Sequence, residues 1–362
     1  MAVLTPDRAE RTRRGVARWC TSATTAHDLL EGVAERVRPI VDYDGGAWFL
    51  TDPSSVLFTD GLVQGYPEEI CADYFHNELS QSDVMPFASL ALRSTPGSTI
   101  HRETNGQMDA CRLWREVYRP VDLDDEVRAV FRDLTGAWGA VSLARSVGRP
   151  RFTMEERDLL VSLGDSIAAG LRRIVLSDAT ADDTAPDAPG LLLVGPDADV
   201  RPATEAGARW LDRLAPPRGG VTERRTALLA LRELVTGGAG DERHVRIRTT
   251  DGIWVTLHAE SMLDDSTLAV IVERSNPFDI AGLASRAYGL TGREREIVIA
   301  VARGLGTNEI AATLHISAHT VRDHLKSAFA KTGVGSRAEL VGVLFHDHYA
   351  DRFFNRVAAD HT

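Results

Sequence analysis

"LTGREREIVIAVARGLGTNEIAATLHISAHTVRDHLKSAFAKTGVGSRAELVGVLF", residues 290–345, is the stretch from which the fold reads most directly. Thr291 stands three residues before Glu294, the spacing at which a hydroxyl and a carboxylate cap a helix start reciprocally. Glu296 to Ala302 continue that helix, and Gly304 stops it. Thr307 is placed to cap a second, short helix with Ile310, Ala311 and Leu314 on its inner face. "LHIS" then reads as a tight turn, with Ser317 capping a third helix. There Val321, Leu325 and Ala328/Phe329 recur at i, i+4 and i+7/i+8, a stripe that packs against Ile297, Val301, Ile310 and Ile316. Two helices joined by so short a turn, the second with an exposed polar face, form a helix-turn-helix.

That polar face carries His319, Thr320, Arg322, Asp323, Lys326 and, at its end, Lys331. Lys326 and Lys331 are the only lysines in a chain of 362 residues, the other 39 basic residues being arginine. The chain has net charge -11, yet residues 281–350 carry 8 basic and 6 acidic side chains. The acidic excess therefore lies elsewhere, and the bulk charge says nothing against a local basic surface. A helix fits the DNA major groove, where Arg and Lys read guanine and Asp accepts from cytosine. From charge alone, a merely solvated helix face is the plainer alternative.

The whole string closely resembles the LuxR-type DNA-binding domain of bacterial transcription regulators. Leu290, Thr291, Arg293, Glu294 and Glu296 fit its opening L-T-x-R-E-x-E. Gly304, Glu309, Ile310, Ala311, Leu314, Ile316, Ser317, Thr320, Val321, Arg322 and His324 fit the central run ending in T-V-R-x-H. Lys331, Val334, Ser336, Arg337 and Glu339 fit the close. Gly292, His315 and Thr332 depart from it, where proline, glycine and leucine are usual. Gly292 should fray the first turn slightly, and His315 must tolerate positive φ. Thr332 should loosen the end of the third helix. The resemblance implies that Arg322, Asp323 and Lys326 face bases, while Thr320, Lys331, Ser336 and Arg337 contact phosphates. It implies double-stranded DNA, a second copy of the chain and RNA polymerase as partners. The final helix, Ser336–Phe345, is the family's usual dimerisation surface.

Two breaks divide the rest of the chain: "SDATADDTAPDAPG" (177–190), which has almost nothing to bury, and "ERSNPFDIAG" (273–282). The expected organisation is an α+β domain over 1–176, a linker over 177–188, a second α+β domain over 189–274 and an all-α domain over 286–350. In the first, Leu29, Leu30, Val33, Val37 and Ile40 mark a helix, and "GGAWFLTD" (45–52), "SVLFTDGLV" and "AWGAVSLAR" (137–145) read as strands. Residues 152–176 read as one long helix opened by a Thr153/Glu156 capping box. Gly139 to Leu143 and Phe152 to Glu156 resemble the end of a GAF domain. In the second, "GLLLVGPDADVRPAT", a turn at Pro196–Asp199, the helix "EAGARWLDRL" and three strands with a Thr250-Asp251-Gly252 turn resemble a PAS domain.

These layouts imply sensing, with an unknown small-molecule effector or a protein partner and no other cofactor. Such pockets are mostly apolar, and Trp48, Phe49, Phe58, Tyr74, Phe75, Trp114 and Trp138 are candidate linings, or else plain core aromatics. Leu160, Leu163, Ile167 and Ile174 approximate a heptad seam that pairs helices across a two-fold axis, or a stripe packing on the domain's own sheet. Cys20, Cys71 and Cys111 lie too far apart for a metal or disulfide framework. His315, His319 and His324 lack a further ligand to make a metal site. No apolar run suits a membrane span and no signal peptide opens the chain, so the cytoplasm is expected. The absence of lysine before position 326 excludes a phosphate-binding G-x-x-x-x-G-K loop, a receiver-domain lysine and Schiff-base chemistry. No catalytic motif frames the Ser, His and Asp residues, so an enzyme is not expected. The rival reading is a sensor or scaffold acting mainly through protein partners, with DNA binding secondary.

Overall fold

The structure, a computed structural model, describes residues 4–53, 56–79, 83–176, 188–195, 199–214, 244–249, 253–262, 267–275 and 285–346. Most of the 177–190 break, residues 276–282 of the second break and the Thr250-Asp251-Gly252 turn lie outside them. So does the Pro196–Asp199 turn, apart from Asp199. The chain divides into two compact units, Met1–Ile174 with Thr180–Arg274, and Val175–Ala179 with Ser275–Thr362. Among the described residues, no helix is long and apolar enough to cross a membrane.

The first unit contains two five-stranded antiparallel sheets with helices, an α+β architecture. Strands β1 (Gly45–Thr51), β2 (Phe58–Gln64), β3 (Gly97–Thr99), β4 (Leu123–Asp133) and β5 (Gly136–Ser146) form the first, ordered β2-β1-β5-β4-β3. One face meets α3 (Cys71–Leu79), α4 (Phe87–Leu92), the short α5 (Ile100–Glu103) and the turns around Met108–Tyr118, burying Phe49, Phe58, Tyr74, Phe75 and Phe87 together. The other meets α2 (Ala26–Val37), α6 (Met154–Ser162) and α7 (Gly164–Leu176), and α1 (Pro6–Ser22) packs on α2 and α7. Helix α1 was not legible in the sequence. Its buried stripe is Ala9, Thr12, Val16 and Cys20, with no large apolar residue to announce it.

Two expectations for residues 152–176 change. The Thr153/Glu156 capping box is present, but the helix breaks at Leu163. There the Leu163 N–H donates back to Leu160 at 3.2 Å, the tighter three-residue turn, and Gly164 follows with no side chain to stiffen the backbone. The seam Leu160, Leu163, Ile167 and Ile174 is buried within this one chain. The stripe is thus used for packing on the chain's own sheet, and no free heptad face remains there.

The second sheet runs β7-β6-β10-β9-β8, from β6 (Gly190–Val194), β7 (Val200–Pro202), β8 (His244–Arg248), β9 (Trp254–Ser261) and β10 (Leu268–Arg274). Helix α8 (Glu205–Leu214) lies on β6, where a Cβ on Gly190 would come within 2.7 Å of Gly207. That close pass lets Trp210 enter the core and donate to Ala188 O at 3.1 Å. An ion pair joins the two sheets: Arg246 Nη2 of β8 lies 2.9 Å from Oδ2 of Asp52, just past β1.

The second unit is helical: α9 (Gly292–Ala302), α10 (Thr307–Thr313), α11 (Ala318–Thr332) and α12 (Arg337–Val341), which runs into a wider turn over Gly342–His346. It has its own core, with Leu290, Ile297, Val298, Ile310, Val321, Leu340 and Leu344 almost fully buried.

Candidate nucleic-acid interface

Helices α9, α11 and α12 start on side-chain caps. The Thr291/Glu294 box opens α9, Ser317 Oγ accepts from Thr320 N at 3.0 Å at the head of α11, and Ser336 Oγ accepts from Glu339 N at 3.2 Å at α12. Helix α10 differs from expectation. Its cap is Gly306, whose N–H donates to Glu309 Oε2 at 2.6 Å, and Thr307 is the first helical residue. This frees the Thr307 hydroxyl to accept from Arg337 Nη2 at 2.7 Å. The turn before α11 passes through His315 at φ 53°, the left-handed conformation required of that position.

Helix α11 is two-sided. Val321, Leu325, Ala328 and Thr332 are buried, and the Thr332 hydroxyl is satisfied by Ala328 O at 2.8 Å. Opposite them, His319, Arg322, Asp323 and Lys326 are exposed at i, i+3, i+4 and i+7, one stripe along the helix. Arg322 Nε donates to Ala318 O at 3.1 Å, which leaves its terminal nitrogens outermost. His319 Nδ1 lies 2.8 Å from Asp323 Oδ2. The stripe offers two cationic donors with an acceptor beside them, a set able to address base edges.

The remaining sequence candidates are engaged inside the unit. Lys331 Nζ and Ser327 Oγ both donate to Glu294, each at 2.7 Å, and Thr291 N does so at 2.6 Å. Burial alone would raise the Glu294 carboxyl, but these hydrogen bonds hold it down at about 2. Arg337 donates to Leu305 O and to Thr307, tying α12 to the start of α10. Arg293, whose only sequence signal was the family pattern, donates to Leu314 O at 2.6 Å and fixes the turn before α11.

The aromatic candidates of the first unit divide. Phe49, Phe58, Tyr74, Phe75 and Trp114 share one cluster on the face covered by α3 and α4. Trp48 and Trp138 are outside it. Trp48 stacks on Phe131 at 6.2 Å, and Trp138 Nε1 donates to Thr135 Oγ1 at 2.8 Å. Neighbouring strand residues point to opposite faces, which separates Trp48 from Phe49. The bulge where Phe131 pairs with Gly139, and Arg132 with Ala137, gives Trp138 its place. A single pocket lined by all of them is therefore not formed.

A family model described as bacterial regulatory proteins, luxR family, matches residues 289–344. The spore germination protein GerE of Bacillus subtilis is 44% identical over 52 residues, 14% of this chain and 70% of that protein. An HTH-type transcriptional regulator of Mycobacterium bovis is 43% identical over 58 residues, 16% of this chain but only 7% of that regulator's length. The solved structure of SdiA in complex with octanoyl-rac-glycerol covers 96% of this chain and 99% of its own, at 14% identity and a TM-score of 0.38, too low to establish a common fold.

Proposed function

This chain belongs to the luxR family of bacterial regulatory proteins, and from that premise we propose that it controls transcription by binding specific double-stranded DNA as a dimer. The observation that carries the reading is the exposed Arg322–Asp323–Lys326 stripe on a capped, well-packed second helix of a helix-turn-helix. In this reading the stripe enters the major groove and the three side chains read bases. Thr320, Ser336 and Arg337 contact phosphates in this reading. Lys331 reaches a phosphate by exchanging the Glu294 carboxylate for it. Half-sites then lie about one helical turn, roughly 10 bp, apart, and promoter-bound dimers meet RNA polymerase.

Residues 286–350 form the DNA-binding domain of this proposal. Residues 1–176 are a GAF-like sensor for a small molecule or partner, 177–188 a linker, and 189–274 a PAS-like domain. Effector binding shifts the population between DNA-competent and DNA-incompetent dimers. The test is site selection from random duplexes by the wild-type chain and by Arg322→Ala. The variant is expected to lose about 1–3 kcal/mol of affinity and to relax preference at one base position. Equal selection of the same sites by both proteins removes Arg322 from the base-reading set.

A further inference from the structure

Within the first unit, the aromatic face of the first sheet holds a buried charged cluster. Glu126 and Arg128 stand two residues apart on β4, so both point to that face, and Ser142 pairs with Arg128 across the sheet. Arg128 Nε donates to Glu126 Oε1 at 2.9 Å, and its Nη1 donates to Glu78 Oε2 of α3 at 2.5 Å and to Met85 O at 3.1 Å. Glu78 Oε1 accepts from Phe87 N at 2.6 Å. Glu126 Oε1 also accepts from Ser142 Oγ at 2.5 Å and from Tyr74 OH at 3.3 Å. Beyond Ser142, the hydroxyls of Tyr66 and Tyr118 continue the chain at 2.9 and 3.2 Å, and the rings of Tyr66, Tyr74 and Tyr118 lie 6.2–6.4 Å from one another.

Two imbalances set this cluster apart from a purely structural ion pair. Glu126 Oε2 and Arg128 Nη2 are fully buried and bond to no described residue, although every other polar atom of the two side chains is used. Trp114 Nε1, packed against the same cluster, is likewise buried without a partner. The second imbalance is charge: two carboxylates, Glu78 and Glu126, face one guanidinium. Burial pushes the Glu78 carboxyl above its ordinary range in spite of Arg128 beside it.

We propose that this cluster is the recognition floor of the effector site, and that the effector is a small organic cation. Its protonated amine, carried on an apolar body, donates to Glu126 Oε2, and a neighbouring oxygen accepts from Arg128 Nη2. The inference rests on the reading of residues 1–176 as a small-molecule sensor. Other occupants meet only part of the demand. A water satisfies the two atoms and leaves the excess charge, which is expensive to bury. A proton on Glu78 removes the charge and leaves the two atoms unbonded. A bare metal cation offers Arg128 no acceptor. An amine beside an oxygen answers both.

The test is calorimetric titration of the full chain with 2-amino-1-phenylethanol, 2-phenylethylamine, phenylacetamide and phenylacetate. The amino alcohol is expected to bind at least tenfold more tightly than the amine lacking the oxygen. The neutral amide should be weaker still, and the carboxylate should not bind. Glu126→Gln, which keeps shape and removes charge, should weaken the amino alcohol at least tenfold. If that variant melts well below wild type, the rank order in the wild-type chain decides alone. Binding of phenylacetamide or phenylacetate as tight as that of the amines overturns the proposal, as does no binding by either amine. Site selection on the same preparation separates the two readings: intact operator binding with no amine binding sinks this inference and leaves the regulator. Amine binding without operator binding does the reverse.

Discussion

Glu294 closes the first turn of α9 and, from the same carboxylate, holds Lys331 at the far end of α11. Its carboxyl sits at about 2, below the ordinary value of 4.5, so the folded state holds the charged form more tightly than the unfolded chain does. Stability from this source is therefore fully present above the ordinary value and is lost as pH falls toward about 2. Glu294→Gln keeps a side chain able to complete the capping box but surrenders the charge pairing. It should cost about 1–2 kcal/mol at neutral pH, and its melting temperature should fall less steeply than wild type between pH 5 and about 2.5. Parallel pH profiles for the two proteins mean that the pair contributes nothing. This arrangement was only half legible. The Thr291–Glu294 box reads from a three-residue spacing, whereas Lys331 and Arg337 find partners 37 and 30 residues away, which no local pattern encodes.

At the level of elements, the two segments that replace the expected long helix carry glycines with opposite tolerances. A Cβ on Gly164 would meet Phe131 and Val130 at 3.8 Å, ordinary contact, whereas one on Gly170 would meet Leu29 at 2.6 Å and the Cys20 carbonyl at 2.9 Å. Gly164→Ala should therefore stabilise by about 0.5–1 kcal/mol, through helix propensity and a less free unfolded chain. Gly170→Ala should destabilise by about 1–3 kcal/mol, because α7 must lift off α2 and the end of α1. Urea denaturation of both variants checks the pair, and equal signs refute the packing argument. Strands β1, β2 and β5 and the two capping boxes were legible because alternation and three-residue spacings are local, whereas β3 and β4 were not read. The break at Leu163 and the small-residue helix α1 were not, since tertiary packing decides both. The division of α11 into a buried and an exposed face was legible, because a single helix sorts Val321 and Leu325 from Arg322 and Lys326. The aromatic candidates were not, since the bulge beside Trp138 depends on how β4 pairs with β5.

For the whole molecule, the helical unit's separate core implies that residues 281–362 fold without the rest. That fragment should select the same operator as the full chain but bind it more weakly, having lost any dimer organised by the first 280 residues. Sedimentation and gel shift compare the two. A fragment that dimerises and binds as tightly as the whole shows that the first unit does not organise the dimer. The Asp52–Arg246 ion pair between the two sheets leads to a thermodynamic signature of its own. Because Asp52 is buried, melting either sheet alone breaks this pair and uncovers it, so the loss of one should drag the other with it. Calorimetry should therefore record two cooperative transitions for this chain, the two sheets melting in one of them, and Arg246→Met should split that transition in two.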